Sequence, residues 1–153
     1  MRLIKYVCCF IMILAFTNCG SSDGGDDPKP DQTKPAITII SPSLNASIAA
    51  GSILQLNIDL TDDTALDNYV LKISLSGTKS VKTVKEFSFN SITDTDSNGN
   101  SLPNITGKKS VKLNFGIAIT EKAQEGNYSL TVSVSDKAGN QQEEDIGFSI
   151  TRI

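Results

Sequence analysis

The stretch GNYSLTVSVSDKAGNQQEEDIGFSIT, residues 126–151, decides the fold. Apolar side chains alternate with small or polar ones along both of its halves, at Tyr128, Leu130, Val132 and Val134 and again at Ile146, Phe148 and Ile150. A period of two places the apolar side chains on one face of a strand, so we predict two half-buried strands. Between them lie Asp136, Gly139 and Asn140, residue types that favour a tight reversal of the chain. The stretch is therefore predicted to be a β-hairpin.

The same alternation recurs upstream in residues 52–61, 68–76 and 109–120. Weaker strand patterns occupy residues 37–40 and 80–89, and the polar residues 94–100 are predicted to form an exposed loop. No long segment has the 3.6-residue period of an amphipathic helix. Seven strand-like runs joined by short polar connections predict an all-β sandwich.

Tyr128 indicates which kind of sandwich this is. Residues 126–130, GNYSL, have the spacing of the tyrosine corner of immunoglobulin domains, with Leu130 where antibody domains carry a cysteine. In this interpretation the ring is buried and the hydroxyl bonds a backbone group upstream; the alternative is an ordinary core aromatic. Cys8, Cys9 and Cys19 all precede the folded part. We therefore predict an immunoglobulin-like β-sandwich of about seven strands without a disulfide.

The N-terminal residues have the pattern of a secretory signal. Arg2 and Lys5 precede an apolar run at residues 6–16, which is shorter than the roughly 20 residues of a membrane-spanning helix. After Cys19 the composition changes to GSSDGGDDPKPDQTKP, which is typical of a solvated linker. We therefore predict a signal peptide at residues 1–18, a flexible acidic tether at 19–35 that begins with Cys19, and the folded domain at 36–153.

Residues 14–19, LAFTNC, resemble the lipobox of bacterial lipoproteins, in the relaxed form found in Bacteroidota. The resemblance implies cleavage before Cys19 and acylation of that cysteine with diacylglycerol and a fatty acid such as palmitate. Several acyl chains anchor a protein stably to a membrane. Residues 22–27, SDGGDD, resemble the signal that sends such lipoproteins across the outer membrane to the cell surface. The alternatives are a periplasmic location and an ordinary secreted protein with an incidental cysteine.

The mature chain also resembles an uncharacterised (domain-of-unknown-function) family of immunoglobulin-like lipoproteins of Bacteroidota. The residues that carry this resemblance are 61–73, TDDTALDNYVLKI, the strand end at 117–119, and 125–140, EGNYSLTVSVSDKAGN. It implies a fold and a location but no settled activity. Members of the family often carry histidines where this chain has Ser76, Lys79 and Lys112, so any metal-binding role of those histidines is not transferred.

Two loops are candidate calcium sites, because Ca²⁺ takes 6 to 8 oxygen ligands in proteins. The first combines the loop after the second strand with the hairpin turn, which an immunoglobulin-like sandwich places at the same end; its residues are Asp62, Asp63, Asp67, Asp136 and Asn140. The second, weaker candidate matches the opening of a calcium loop at Asp94, Asp96, Asn98 and Asn100, but Ile105 occupies the position of the usual bidentate Glu. The alternative for both is a set of turn-forming, solubilising residues.

Residues 63–65, DTA, match the short acceptor motif for O-glycosylation in Bacteroidota, which makes Thr64 a candidate glycan site. Three residues are a weak signal.

Composition excludes several classes of function. The chain contains no histidine, which removes the commonest general base and transition-metal ligand. A net charge of −3 without a basic stripe argues against nucleic acid as a partner. We therefore expect a non-catalytic surface lipoprotein that presents one domain for binding or adhesion to an unknown protein or glycan. The alternatives are a structural or assembly subunit of an envelope complex and, less favoured, a carboxylate-based hydrolase.

Overall fold

Eight strands form in the computed structural model of the chain, which describes residues 29–76, 87–95 and 100–152. In order they are β1 (Ala36–Ser41), β2 (Ala46–Ala49), β3 (Ile53–Thr61), β4 (Leu66–Leu75), β5 (Phe87–Asn90), β6 (Ser110–Ala118), β7 (Gly126–Asp136) and β8 (Gln141–Thr151). Within these ranges the structure has no helix long and apolar enough to cross a membrane.

The strands form two sheets. One has the order β1-β3-β6 and the other the order β2-β8-β7-β4-β5. The predicted hairpin is confirmed: β7 and β8 pair antiparallel from Gly126 opposite Ile150 to Ser135 opposite Gln141. β4 pairs with the other side of β7, so the hairpin lies near the centre of the larger sheet. The all-β sandwich predicted from the alternation is therefore the observed architecture.

The core lies between the two sheets and is built from the apolar positions of the alternating strands. Buried side chains come from every second residue of β3, β4 and β7, namely Leu54, Leu56, Ile58, Leu60, Tyr69, Leu71, Ile73, Leu130, Val132 and Val134. Removing these side chains from water is the main stabilising contribution to such a fold. Leu102 and Ile105, from the connection between β5 and β6, are also buried. The alternation could not predict these two, because their segment has no period.

The structure has eight strands where about seven were predicted, and the additional strand is β2. It pairs in parallel with β8, with Ala46 opposite Phe148 and Ala49 opposite Thr151. Four residues are too few to show a period, and the partner strand is about 100 positions away, so local sequence carries no signal for it. Of the strand predicted at residues 80–89, residues 87–89 lie in β5, and residues 80–86 lie outside the described residues.

Candidate functional site

The loop between β3 and β4 and the turn between β7 and β8 meet at one end of the sandwich. The amide of Lys137 in the turn donates to the carbonyl of Ala65 in the loop, with 2.9 Å between N and O. Leu66 and Asp136 are paired at the ends of β4 and β7. The structure therefore places the acidic loop and the hairpin turn together, as the sandwich topology predicts.

Asp62 is the most buried acidic residue of the loop, with 9% of its surface exposed. Its Oδ1 accepts hydrogen bonds from the amides of Thr64 and Ala65, at 2.9 and 2.6 Å. These bonds fix the start of the loop in the manner of an Asx turn. Its Oδ2 is buried and has no hydrogen-bond partner among the described residues. One oxygen of Asp62 therefore shapes the loop, and the other is buried without a hydrogen bond in the described part of the chain.

The N-terminal segment, residues 29–35, brings a third carboxylate to this end. Thr33 Oγ1 donates to Asp63 Oδ2 at 2.9 Å, and Pro35 is buried. The Thr33 amide donates to Asp31 Oδ1 at 2.9 Å, whereas Asp31 Oδ2 is buried and has no partner in the described part of the chain. Oxygens of Asp31, Asp62 and Asp63 lie within 4.8 Å of one another. We call these three residues the acidic cluster.

Asp136 and Asn140 support the acidic cluster from beside it. The backbone amide of Asn140 donates to Asp136 Oδ1 at 2.8 Å, and the side-chain Nδ2 of Asn140 donates to Asp136 Oδ2 at 2.7 Å. Asn140 Nδ2 also donates to the carbonyl of Asp31 at 3.2 Å, so the turn braces the N-terminal segment. Burial acts to raise the pKa of Asp136, but the bonds from Asn140, Gly139 and Ala138 together lower it below its ordinary value.

Two of the five residues predicted for the first calcium site, Asp62 and Asp63, belong to the acidic cluster. The placement of Asp67 in the loop was wrong: it lies in β4, at the irregularity between Leu66 and Asn68, and is not part of the cluster. Its carbonyl accepts a 2.8 Å hydrogen bond from Thr106 Oγ1. Sequence reasoning missed Asp31 because its surroundings have the composition of a linker. The pattern Asp31-Gln32-Thr33, which is typical of an Asx turn, is the signal that could have indicated local order there.

The second predicted calcium loop lies only partly within the described residues. Both oxygens of Asp94 accept local hydrogen bonds, from the Asn90 amide at 2.7 Å and from Thr93 Oγ1 at 3.2 Å. Asp96 and Asn98 lie outside the described residues, and Asn100 is exposed. Asp94 therefore closes a turn, and the proposed ion site in this loop stays a prediction.

The two predicted modification sites also stay predictions. Thr64 is exposed, and its Oγ1 donates to Asp63 Oδ1 at 3.4 Å. Cys19 lies outside the described residues.

Tyr128 has the geometry that the tyrosine-corner interpretation requires. Its hydroxyl donates to the carbonyl of Gln124, four residues upstream, at 2.8 Å. Its buried ring stacks on Phe148 with 5.7 Å between the ring centroids, and burial raises the pKa of Tyr128. Tyr69 differs, because its fully buried hydroxyl has no hydrogen-bond partner within the described ranges. Burial raises the pKa of Tyr69 to about 12.

The outer face of the five-stranded sheet is polar. Ser133 Oγ donates to Glu143 Oε2 at 2.7 Å across β7 and β8, and Thr131 Oγ1 donates to Asp145 Oδ1 beside it. An open groove of about 490 Å³ crosses this face next to the N-terminal segment. We call it the polar groove; its lining includes Lys34, Asn68, Asn90, Ser133, Gln141 and Glu143. It offers hydrogen-bond donors and acceptors to a ligand.

The two sheets, the central hairpin and the Tyr128 corner define the class: the protein is an immunoglobulin-like β-sandwich. Within that class, the chain belongs to the family described as Domain of unknown function (DUF4625), whose model matches residues 18–151. The predicted membership of an uncharacterised family is confirmed. A search of curated proteins found no significant match.

Solved structures with a similar fold are distant in sequence. A DUF4466 family protein from Parabacteroides merdae matches at 14% identity and a TM-score of 0.52, over 78% of this chain and 45% of its own. A sialic acid binding region of a Streptococcus sanguinis adhesin matches at 19% identity and a TM-score of 0.49, over 80% of this chain and 31% of its own. Fibronectin(III)-like modules of Clostridium thermocellum CbhA match at 14% identity and a TM-score of 0.44, over 76% of this chain and 96% of their own.

The chain thus spans less than half the length of the Parabacteroides and Streptococcus proteins. At these identities the matches concern the fold alone.

Proposed function

We propose that this protein is a non-catalytic binding module, held at the outer face of the outer membrane by a lipid on Cys19. The polar groove is the observation that carries the binding function. Its volume of about 490 Å³ lies within the range of about 300 to 1,000 Å³ that is usual for ligand sites. The lipobox-like residues 14–19 and the acidic residues that follow them support the proposed location.

The chemistry of the polar groove suits a polar partner. Amides of Asn68, Asn90 and Gln141 both donate and accept hydrogen bonds, and Lys34 and Glu143 add one charge of each sign. A polar surface such as this groove contributes specificity through hydrogen bonds more than through buried apolar area. A glycan or a polar protein surface is therefore the class of partner that the groove fits.

The same groove argues against hydrolysis. A two-carboxylate hydrolase needs a pair of carboxyl groups flanking the scissile bond. Glu143 is the single carboxylate among the described residues that line the groove, and its Oε2 already accepts a hydrogen bond from Ser133. The described lining of the groove therefore lacks the carboxylate pair that such a hydrolase needs.

Site-specific photocrosslinking on living cells tests this proposal. A photoreactive amino acid at Gln141, on the edge of the polar groove, is expected to capture a specific partner. The matched control carries the same amino acid at Thr38, an exposed position of β1 in the other sheet. Equal capture from both positions, or none from Gln141, would contradict a partner in the groove.

A second candidate, an assembly subunit of an envelope complex, is favoured by the edge of β6. This nine-residue strand pairs with β3 on one side and with no other strand in the described part of the chain. Unpaired strand edges are templates for pairing with another chain. Photocrosslinking from Asn114, at an exposed position of β6, distinguishes the two functions. Capture of one stoichiometric envelope protein from Asn114 would favour the subunit.

A further inference from the structure

We propose that the acidic cluster binds one calcium ion, and that this ion fastens the N-terminal segment to the sandwich. The proposal concerns the end of the domain where the chain enters. It does not depend on any partner in the polar groove.

The buried oxygens without partners are the first reason. Asp62 is nine-tenths buried, and its Oδ2 has no hydrogen-bond partner among the described residues. Asp31 is partly buried as a residue, but its Oδ2 atom is buried and also has no partner there. Buried carboxylate oxygens are normally hydrogen-bonded or bound to a cation, because leaving them unpaired costs free energy. Both of these oxygens belong to carboxylates of one cluster. A cation among the carboxylates would satisfy both.

The local charge is the second reason. Three carboxylates with oxygens within 4.8 Å of one another repel when all are ionised. Lys109 offsets one of these negative charges, because its Nζ donates at 2.7 Å to the carbonyl of Asp63. The salt bridge between Lys112 and Asp59 involves neither a residue of the cluster nor Lys109. A bound cation would supply the balancing charge.

The donor set indicates which ion this is. All three side chains offer carboxylate oxygens, the hard ligands that Ca²⁺ and Mg²⁺ prefer over softer metals. Ca²⁺ accepts irregular geometry and 6 to 8 ligands, whereas Mg²⁺ demands a near-ideal octahedron. Asp62 is fixed by its loop and Asp31 arrives from a separate segment, so an adaptable ion suits the cluster better.

The position of Asp31 gives the ion a structural role. Asp31 lies in the N-terminal segment, and Asp62 and Asp63 lie in the loop between β3 and β4. The hydrogen bonds from Thr33 to Asp63 and from Asn140 to Asp31 already join the two parts. An ion bound to both parts would strengthen this junction.

Calorimetric titration of the full chain in detergent with CaCl₂ tests the binding. We expect one ion per chain, with a Kd on the order of 10⁻⁴ to 10⁻³ M, as in calcium sites of extracellular modules. Asp31→Asn should weaken binding at least about tenfold, since it replaces the charged carboxylate of the N-terminal segment with a neutral amide. The matched control is Asp67→Asn, in β4 close to the loop but outside the cluster, which should leave the Kd within about twofold.

Hydrogen exchange of the N-terminal segment tests the fastening. Calcium should slow exchange of the Thr33 amide, which donates to Asp31, whereas it should not do so in Asp31→Asn. No saturable calcium binding by the wild-type chain would overturn the proposal. So would binding that Asp31→Asn does not weaken, or unchanged exchange at Thr33 when calcium is saturating.

Discussion

At the scale of single residues, two buried tyrosines give opposite predictions. Tyr128→Phe removes the hydroxyl that donates to Gln124 but keeps the ring on Phe148. We expect a loss of about 1 kcal/mol in the free energy of unfolding. Tyr69→Phe removes a buried hydroxyl that has no partner in the described residues, so we expect no loss or a gain of about 1 kcal/mol. Urea unfolding of both variants provides the measurement. Unchanged stability of Tyr128→Phe would contradict the tyrosine corner, and a loss in Tyr69→Phe would contradict the unpartnered hydroxyl.

Asp136 gives a prediction on pH. The folded state lowers its pKa below the unperturbed value of 3.8, so ionised Asp136 stabilises the fold above that value. This contribution is lost as the pH falls from about 5 toward the lowered pKa. Asp136→Asn should therefore be less stable at neutral pH and lose less further stability on acidification. Urea unfolding from neutral pH down to about pH 3 checks this; parallel curves for both proteins would contradict it.

At the scale of elements, the turn of the β7–β8 hairpin depends on Gly139. Its φ is +92°, and a Cβ at this position would meet nothing within 4 Å, so the cost of substitution is conformational alone. Gly139→Ala should lose about 1 kcal/mol, and Gly139→Asn clearly less, because Asn tolerates this conformation better. Thermal unfolding of the two variants measures the difference, and the prediction fails if the Ala and Asn variants melt together.

The elements also show how far sequence could predict this fold. The hairpin, β3 and β4 were predictable because each exposes one face and buries the other, which imposes a period of two over nine or more residues. β2 was not, because four residues show no period. Leu102 and Ile105 are core residues supplied by a connection, where burial follows from the path of the chain. The candidate site was predictable in part. The sandwich topology brings Asp62 near the hairpin turn, whereas Asp31 reaches the cluster through the path of the N-terminal segment, which no sequence pattern indicated.

At the scale of the whole molecule, the proposed anchor depends on Cys19. A Cys19→Ser variant, expressed in a bacterium of the proposed phylum, should lose incorporation of radiolabelled palmitate and leave the membrane fraction. Cys9→Ser is the matched control, since its cysteine lies within the predicted signal peptide. Undiminished labelling of the Cys19→Ser protein would refute the lipid anchor.

The docking of residues 31–35 also determines at which end of the sandwich the N-terminal segment joins the domain. The segment enters beside the loop between β3 and β4 and the turn between β7 and β8, so in a chain anchored through Cys19 this end points toward the lipid. The opposite end, with the connection between β2 and β3 and the connection before β7, then becomes the apex. In such a chain the apex is the end of the domain farthest from the attachment point, whereas the polar groove lies on the side of the sandwich, on the outer face of the five-stranded sheet.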